Sequence, residues 1–162
     1  MANRFDPQAL LDAVDAQRRD RGLTWAELSE ELHISTTTIR SMPKRTWGIE
    51  LDGVIGLARW CGRTVESFAG ADGGPPPVPV HSRTPPFMRF DTAGLYAAMN
   101  ERRERRGMTW AQMAAEVWPS GPWGADQLRR LSKGGRCDVY TALAICGWLG
   151  RTIQSFMHET WY

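Results

Sequence analysis

The sequence predicts an all-α protein built as two tandem five-helix units, residues 1–70 and 90–162, joined by a Pro/Gly-rich linker over residues 71–89. Three observations carry that expectation. FDPQALLDAVDAQRRDRGLTWAELSEEL, from Phe5, returns as FDTAGLYAAMNERRERRGMTWAQMAAEV from Phe90, at an offset of 85, and RWCGRTVESF at 59–68 returns as GWLGRTIQSF at 147–156, at an offset of 88. The chain is therefore a tandem duplication whose second copy has gained residues in its middle. Within each copy, apolar residues recur at spacings of three and four behind Asp, Thr and Ser caps, which is the helical period. Between the copies, residues 69–89 hold six of the ten prolines and almost no periodic apolar pattern, which is the composition of a linker.

The first copy opens with Asp6 as N-cap and Pro7 in the first turn, a start for a helix to about Asp20 with Leu10 and Val14 on one face. Gly22 ends it. Thr24 and Glu27, three residues apart, form a capping box for a second helix with Leu28 and Leu32 inward. His33 and Ile34 interrupt that helix, and Ser35 caps a third, in which Ile39 and Met42 face inward while Thr36, Thr37, Arg40 and Ser41 point out. Two short helices separated by so brief a turn read as a helix-turn-helix. A loop carrying Lys44 and Arg45 leads to a fourth helix starting near Glu50, with Leu51, Val54, Leu57, Ala58 and Cys61 as its inward stripe. Gly62 stops it, and Thr64 caps a short last helix that returns Phe68 to the core.

The linker's prolines favour extended polyproline geometry at about 3.1 Å per residue, a reach of up to roughly 60 Å. A docking motif for an SH3-like partner is the competing reading of that stretch. The second copy repeats the plan from Asp91 to Phe156, but WPSGPWGADQLRRLSKGGR replaces HISTTTIRSMPKRTWG. Aligning Leu128 with Ile39 and Leu131 with Met42 sets Gly124 to Gln127 opposite Ser35 to Thr38. The turn before them is about four residues longer.

These residues resemble the lambda-repressor-like (Cro/cI-type, XRE) helix-turn-helix family: the Leu-Thr start at Leu23, the helix, the capped Ser-x-x-Thr-Ile run from Ser35 to Ile39, and two following helices. The resemblance covers most of the chain. It departs where such domains usually carry Gln directly after the second helix's cap, to contact a DNA phosphate, because Trp25 stands there. An indole N–H donates but cannot copy Gln fully. The resemblance implies double-stranded DNA as partner, with Thr36, Thr37, Arg40 and Ser41 in the first copy and Gln127, Arg129 and Arg130 in the second as base-reading candidates. Trp25, Lys44, Arg45, Trp110, Lys133 and Arg136 are the phosphate candidates. Asp126 is better suited to stabilising the helix dipole than to approaching DNA.

Charge weighs against a simple DNA binder. Residues 1–70 carry nine Lys/Arg against ten Asp/Glu, and residues 90–162 nine against seven, so affinity requires the cations to be concentrated on one face. The runs at 17–21 and 101–106 read as solvated helix ends. The duplicated tryptophans Trp25/Trp110 and Trp60/Trp148 read as packing elements. Trp118 and Trp123 bracket the enlarged turn, as a hydrophobic plug or a surface for a protein partner; Trp47 and Trp161 are also unpaired.

Three cysteines, with no metal-ligand spacing, read as buried free thiols. The histidines stand far apart, so no catalytic residue, metal or cofactor is assigned. No apolar run approaches 18 residues and the start lacks signal character, so a cytoplasmic protein without a membrane span is expected. The leading functional expectation is a sequence-specific regulator acting as a covalent pseudo-dimer, with no homodimer required. The alternative is an antitoxin-like or adaptor module that uses the same scaffold to bind protein.

Overall fold

The computed structural model describes residues 4–79, 87–121 and 123–160. The first half contains Pro7–Asp20 (α1), Trp25–Leu32 (α2), Thr36–Ser41 (α3) and Leu51–Trp60 (α4), with 3₁₀ turns at Met42–Lys44 and Glu66–Ala69. The second contains Phe87–Phe90 (β1), Thr92–Arg105 (α5), Trp110–Val117 (α6), Ala125–Arg130 (α7) and Val139–Leu149 (α8), with 3₁₀ turns at Leu131–Lys133 and Ile153–Phe156, and closes on Met157–Thr160 (β2). The helical order is the same in both halves. Trp161, His81 and linker residues 80–86 lie outside the described residues.

The caps follow the sequence. Asp6 and Asp91 accept from Ala9 N and Gly94 N. Thr24 with Glu27 and Thr109 with Gln112 close full capping boxes, and Ser35 accepts from Thr38 N. Leu10, Val14, Leu28, Leu32, Ile39 and Met42 are buried, and Leu95, Met99, Met113, Val117, Leu128 and Leu131 are buried at the matching positions. That match supports aligning Leu128 with Ile39.

Two features depart from the helical expectation. The last helix of each copy is a four-residue 3₁₀ turn; so short a segment cannot nucleate an α-helix, and Gly70, at φ 65°, ends the first one. A small sheet also exists, because β1 and β2 pair antiparallel with Phe90 opposite Met157 and Phe87 opposite Thr160. It extends a tie common to both halves: Asp6 N donates to Phe68 O at 2.8 Å, and Asp91 N to Phe156 O at 2.7 Å.

The largest departure concerns how the halves meet. Glu50 pairs with Asp138 in an isolated antiparallel bridge, in which Leu51 N donates to Cys137 O and Val139 N to Ile49 O, both at 2.9 Å. At the offset of 88, Glu50 is the counterpart of Asp138, Leu51 of Val139 and Ile49 of Cys137. Each hydrogen bond is thus the other's image under a two-fold rotation, as in an isologous dimer. Beside the bridge, Asp52 Oδ1 accepts from Phe90 N at 2.9 Å, and the buried Glu66 accepts from Ile153 N at 2.5 Å through one oxygen, leaving the other unpartnered. The buried apolar residues of both halves belong to one continuous core.

The linker therefore does not act as an extended spacer over its described part. Pro79 lies so close to Gly62 that a Cβ there would fall 2.6 Å from its ring, and Pro77 lines the seam with Ile55 of α4 and Ile153 and Met157 of the second half. Residues 87–89, assigned to the linker from sequence, belong to β1. The bridge holds the halves in one orientation.

The repeated Arg, Glu and Trp form a strap in each half. Trp60 is fully buried, so its indole N–H needs a partner; it donates to Glu31 at 3.2 Å, and Arg21 pairs with the same carboxylate at 2.8 Å. In the second half, Arg106 grips Glu116 with two nitrogens at 2.7 and 2.9 Å while Trp148 donates at 2.8 Å. The hydrogen bonds from Arg106, then from Trp148, hold the Glu116 carboxyl down to about 2. A depressed carboxyl contributes stability that is fully present above the ordinary carboxylate range and is lost as pH falls through the folded value. Glu116→Gln should therefore melt below wild type at pH 6, and the gap should close as pH falls from about 5 to about 2. Thermal melts across that range check this.

Candidate nucleic-acid interface

In the first half, α2 and α3 are joined by residues 33–35, with His33 in the left-handed region at φ 52°. In the second, α6 and α7 are joined by residues 118–124. The longer turn expected from sequence is present.

The outward face of α3 differs from expectation. Thr37 and Arg40 are exposed, but Thr36 and Ser41 are half-buried. The Thr36 hydroxyl donates to Trp25 O at 3.4 Å and the Ser41 hydroxyl to Thr38 O at 3.3 Å. Their hydroxyls bond inward because helix spacing turns positions 36 and 41 toward α2 and the preceding turn, which leaves Thr37, Thr38 and Arg40 as the open surface.

Trp25 is half-buried, and its ring lies between two guanidiniums, Arg18 at 4.7 Å and Arg40 at 5.6 Å. Arg18 is anchored by Asp15 and by Leu23 O, both at 2.6 Å. Trp25 is therefore a platform for the exposed arginine of α3. Trp110 has a different neighbour: it stacks on Tyr96 at 5.7 Å and lies under Arg103 at 4.4 Å.

Around α7, Arg129, Arg130, Lys133 and Arg136 are exposed and Gln127 is half-buried. Arg129 is the counterpart of Arg40 at the alignment of Leu128 with Ile39, but it is ion-paired to Asp126. That hydrogen bond, then the charge of Arg129, lowers the Asp126 carboxyl. Gly124 supplies no side-chain cap to α7, so Asp126 is the acidic group of its first turn.

Two sets of cations can be distinguished by their partners. Those of α1 and α5 are engaged within their own half, Arg18 and Arg19 with Asp15, Arg21 with Glu31, Arg105 with Glu101 and Arg106 with Glu116. Arg40, Lys44, Arg45, Arg130, Lys133 and Arg136 make no ion pair among the described residues. These six lie on and after α3 and α7.

Trp118 and Trp123 do not form a separate exposed patch; both are half-buried in an aromatic ladder that crosses between the halves. Trp118 meets Trp123 at 5.3 Å, Trp123 meets Trp47 at 4.6 Å, Trp47 meets Tyr140 at 5.5 Å and Tyr140 meets Phe5 at 5.9 Å. Arg4 lies over both Trp47 and Tyr140 and donates to Thr46 O at 3.4 Å. Sequence reasoning missed Arg4, Phe5 and Tyr140 as members, and the signal available was that Trp47 and Tyr140 have no aromatic counterpart in the other copy.

The two-fold image of this ladder is an open cleft of about 470 Å³ lined by Glu50, Asp52, Arg89, Asp91, Arg136 and His158 among others. There burial, then the charge of Asp52, raises the Glu50 carboxyl.

Burial pushes the Cys61 and Cys137 thiols up to about 11 and 12, and that of Cys146 higher still. None is a thiolate near neutrality. Among the described residues, no group of three or more His, Cys, Asp or Glu is placed to hold a metal, and no helix is long and apolar enough to cross a membrane.

Trp47 is the joint of the ladder although it is 45% exposed. Trp47→Ala removes two edge-to-face ring pairs and one cation–π contact, and should cost about 1–3 kcal/mol of global stability, read from urea unfolding with an unchanged slope. Comparison with family models, with curated proteins and with solved structures finds no match for the chain.

Proposed function

We propose that the chain is a sequence-specific DNA-binding transcriptional regulator in which two lambda-repressor-like helix-turn-helix domains form a covalent pseudo-dimer. The bridge centred on Glu50 and Asp138 carries this reading. A two-fold between two helix-turn-helix units relates their recognition helices by the same rotation that relates the strands of a duplex, so a fixed pair can address two half-sites at once. Six cations without ion pairs, Arg40, Lys44, Arg45, Arg130, Lys133 and Arg136, lie on and after those helices, which supplies phosphate attraction despite a formal net charge of only +2. Arg40, on its Trp25 platform, and Thr37 are the base-reading groups of the first domain; Lys44 and Arg45 hold phosphates. In the second domain Gln127, Arg129 and Arg130 face the bases, and Lys133 and Arg136 the backbone. Thr36, Ser41, Trp25 and Trp110 act by orienting their neighbours.

The adaptor reading draws support from one observation, the Asp126–Arg129 pair, which neutralises part of the second head. A selection from a randomised duplex library with the full chain separates the two. A DNA-binding regulator enriches one site; an adaptor enriches none.

On the enriched duplex, Arg40→Ala should cost about 1–3 kcal/mol and relax preference at one base pair, whereas Lys44→Ala should weaken all duplexes alike and shallow the salt slope by about one. Fluorescence anisotropy at several salt concentrations reads both. Wild-type behaviour in both variants would remove the first domain as a reader.

A further inference from the structure

We propose that Asp126 is a built-in mask on the second reading head, holding Arg129 along its own helix and setting a carboxylate where the first head has a neutral hydroxyl. The inference rests on the DNA-binding reading and deepens it: the chain reads sequence mainly through its first half, with the second half docked and partly silenced.

The internal duplication supplies the comparison. Leu128 and Ile39 are both fully buried at the same helical position, which makes Arg129 the counterpart of Arg40 and Asp126 the counterpart of Thr37. All four side chains are exposed, so the heads differ in chemistry and not in access. In the first head, Thr37 cannot hold an arginine three residues on, and Arg40 leans on the Trp25 ring at 5.6 Å. A cation over a ring keeps its N–H donors available, since the attraction comes from the ring face. In the second head, Trp110 is stacked with Tyr96, and Arg129 turns back to Asp126. That pair turns the guanidinium along its own helix and occupies one of the donors that would otherwise meet a guanine or a phosphate.

The ion pair itself is weak, because both partners are exposed, and DNA could break it. The carboxylate is the stronger effect. It stands in the first turn of the helix that enters the groove, where phosphates crowd, and repels them whether or not Arg129 is attached. Asp126 also serves α7, which has no side-chain cap. A residue that stabilises the helix end thus also determines how much of the second head DNA can use.

Two reciprocal substitutions in the full chain test the mask. Asp126→Thr installs the first head's residue, and Thr37→Asp installs the second's. Binding is measured by anisotropy on the duplex enriched by the wild-type chain and on an unrelated duplex of equal length, with circular dichroism melts confirming the fold. Asp126→Thr should tighten both duplexes by about 3–10-fold and steepen the salt slope by about one as Arg129 gains a phosphate. Arg129→Ala added to it should erase the gain. Thr37→Asp should weaken the enriched duplex by about tenfold or more. If Asp126→Thr instead weakens the enriched duplex alone, the carboxylate reads a cytosine amine and the mask is overturned. If it changes neither duplex while Arg40→Ala still abolishes preference, the second head does not approach DNA, which also overturns the mask but leaves the regulator reading intact. A wild-type chain that enriches no duplex would instead remove the regulator reading and the mask with it.

Discussion

The contact between the two halves is centred on four backbone groups. The amides of Leu51 and Val139 and the carbonyls of Ile49 and Cys137 lie where buried apolar residues close around them, and a backbone polar group left unpaired in such a place costs as much as a lost hydrogen bond or more. Each half can satisfy the other's groups only in the two-fold arrangement. Apolar burial presses the halves together without specifying direction; the bridge specifies it. Asp138 reinforces the point, since it accepts from Gly48 N across the seam while capping its own helix through Tyr140 N and Thr141 N.

Much of the fold was legible because its causes are local. Caps, capping boxes and helical stripes depend on residues within four positions of each other, and most recur in both copies, so either copy could check the other. The straps were half legible. Trp60 and Trp148 were recognised as packing residues from their duplication, but their pairing with Glu31 and Glu116, some thirty residues away, depends on how α2 and α4, or α6 and α8, cross. The seam was not legible. A two-fold contact leaves no periodic mark in sequence, and a Pro-rich segment looks like a spacer until Gly62 and Pro79 are seen in contact. Thr36 and Ser41 were placed outward because six residues are too few for spacing alone to show which polar side chains the neighbouring helix claims.

The halves are alike in backbone and unlike in what their equivalent surfaces carry. On one side of the seam Arg4 lies over Trp47 and Tyr140, and Trp123 meets Trp47; on the other, Asp52, Arg89 and Arg136 line an open, charged cleft. The enlarged turn before α7 brings Trp123 to Trp47, so the stretch in which the copies differ most is also part of the ladder. A change in the enlarged turn therefore reaches both α7 and the seam.

The self-paired bridge also bears on how such a chain can evolve. In a dimer of identical subunits every substitution at the interface appears twice, once on each side of the axis, so a change tolerable on one side must be tolerable on both. Fusion removes that condition. Tyr140 could become aromatic while Asp52, its image, kept a carboxylate to hold Phe90 N, a pair of choices that one repeated subunit could not make together. The two-fold is present in the backbone of the bridge, while the side chains around it differ on the two sides.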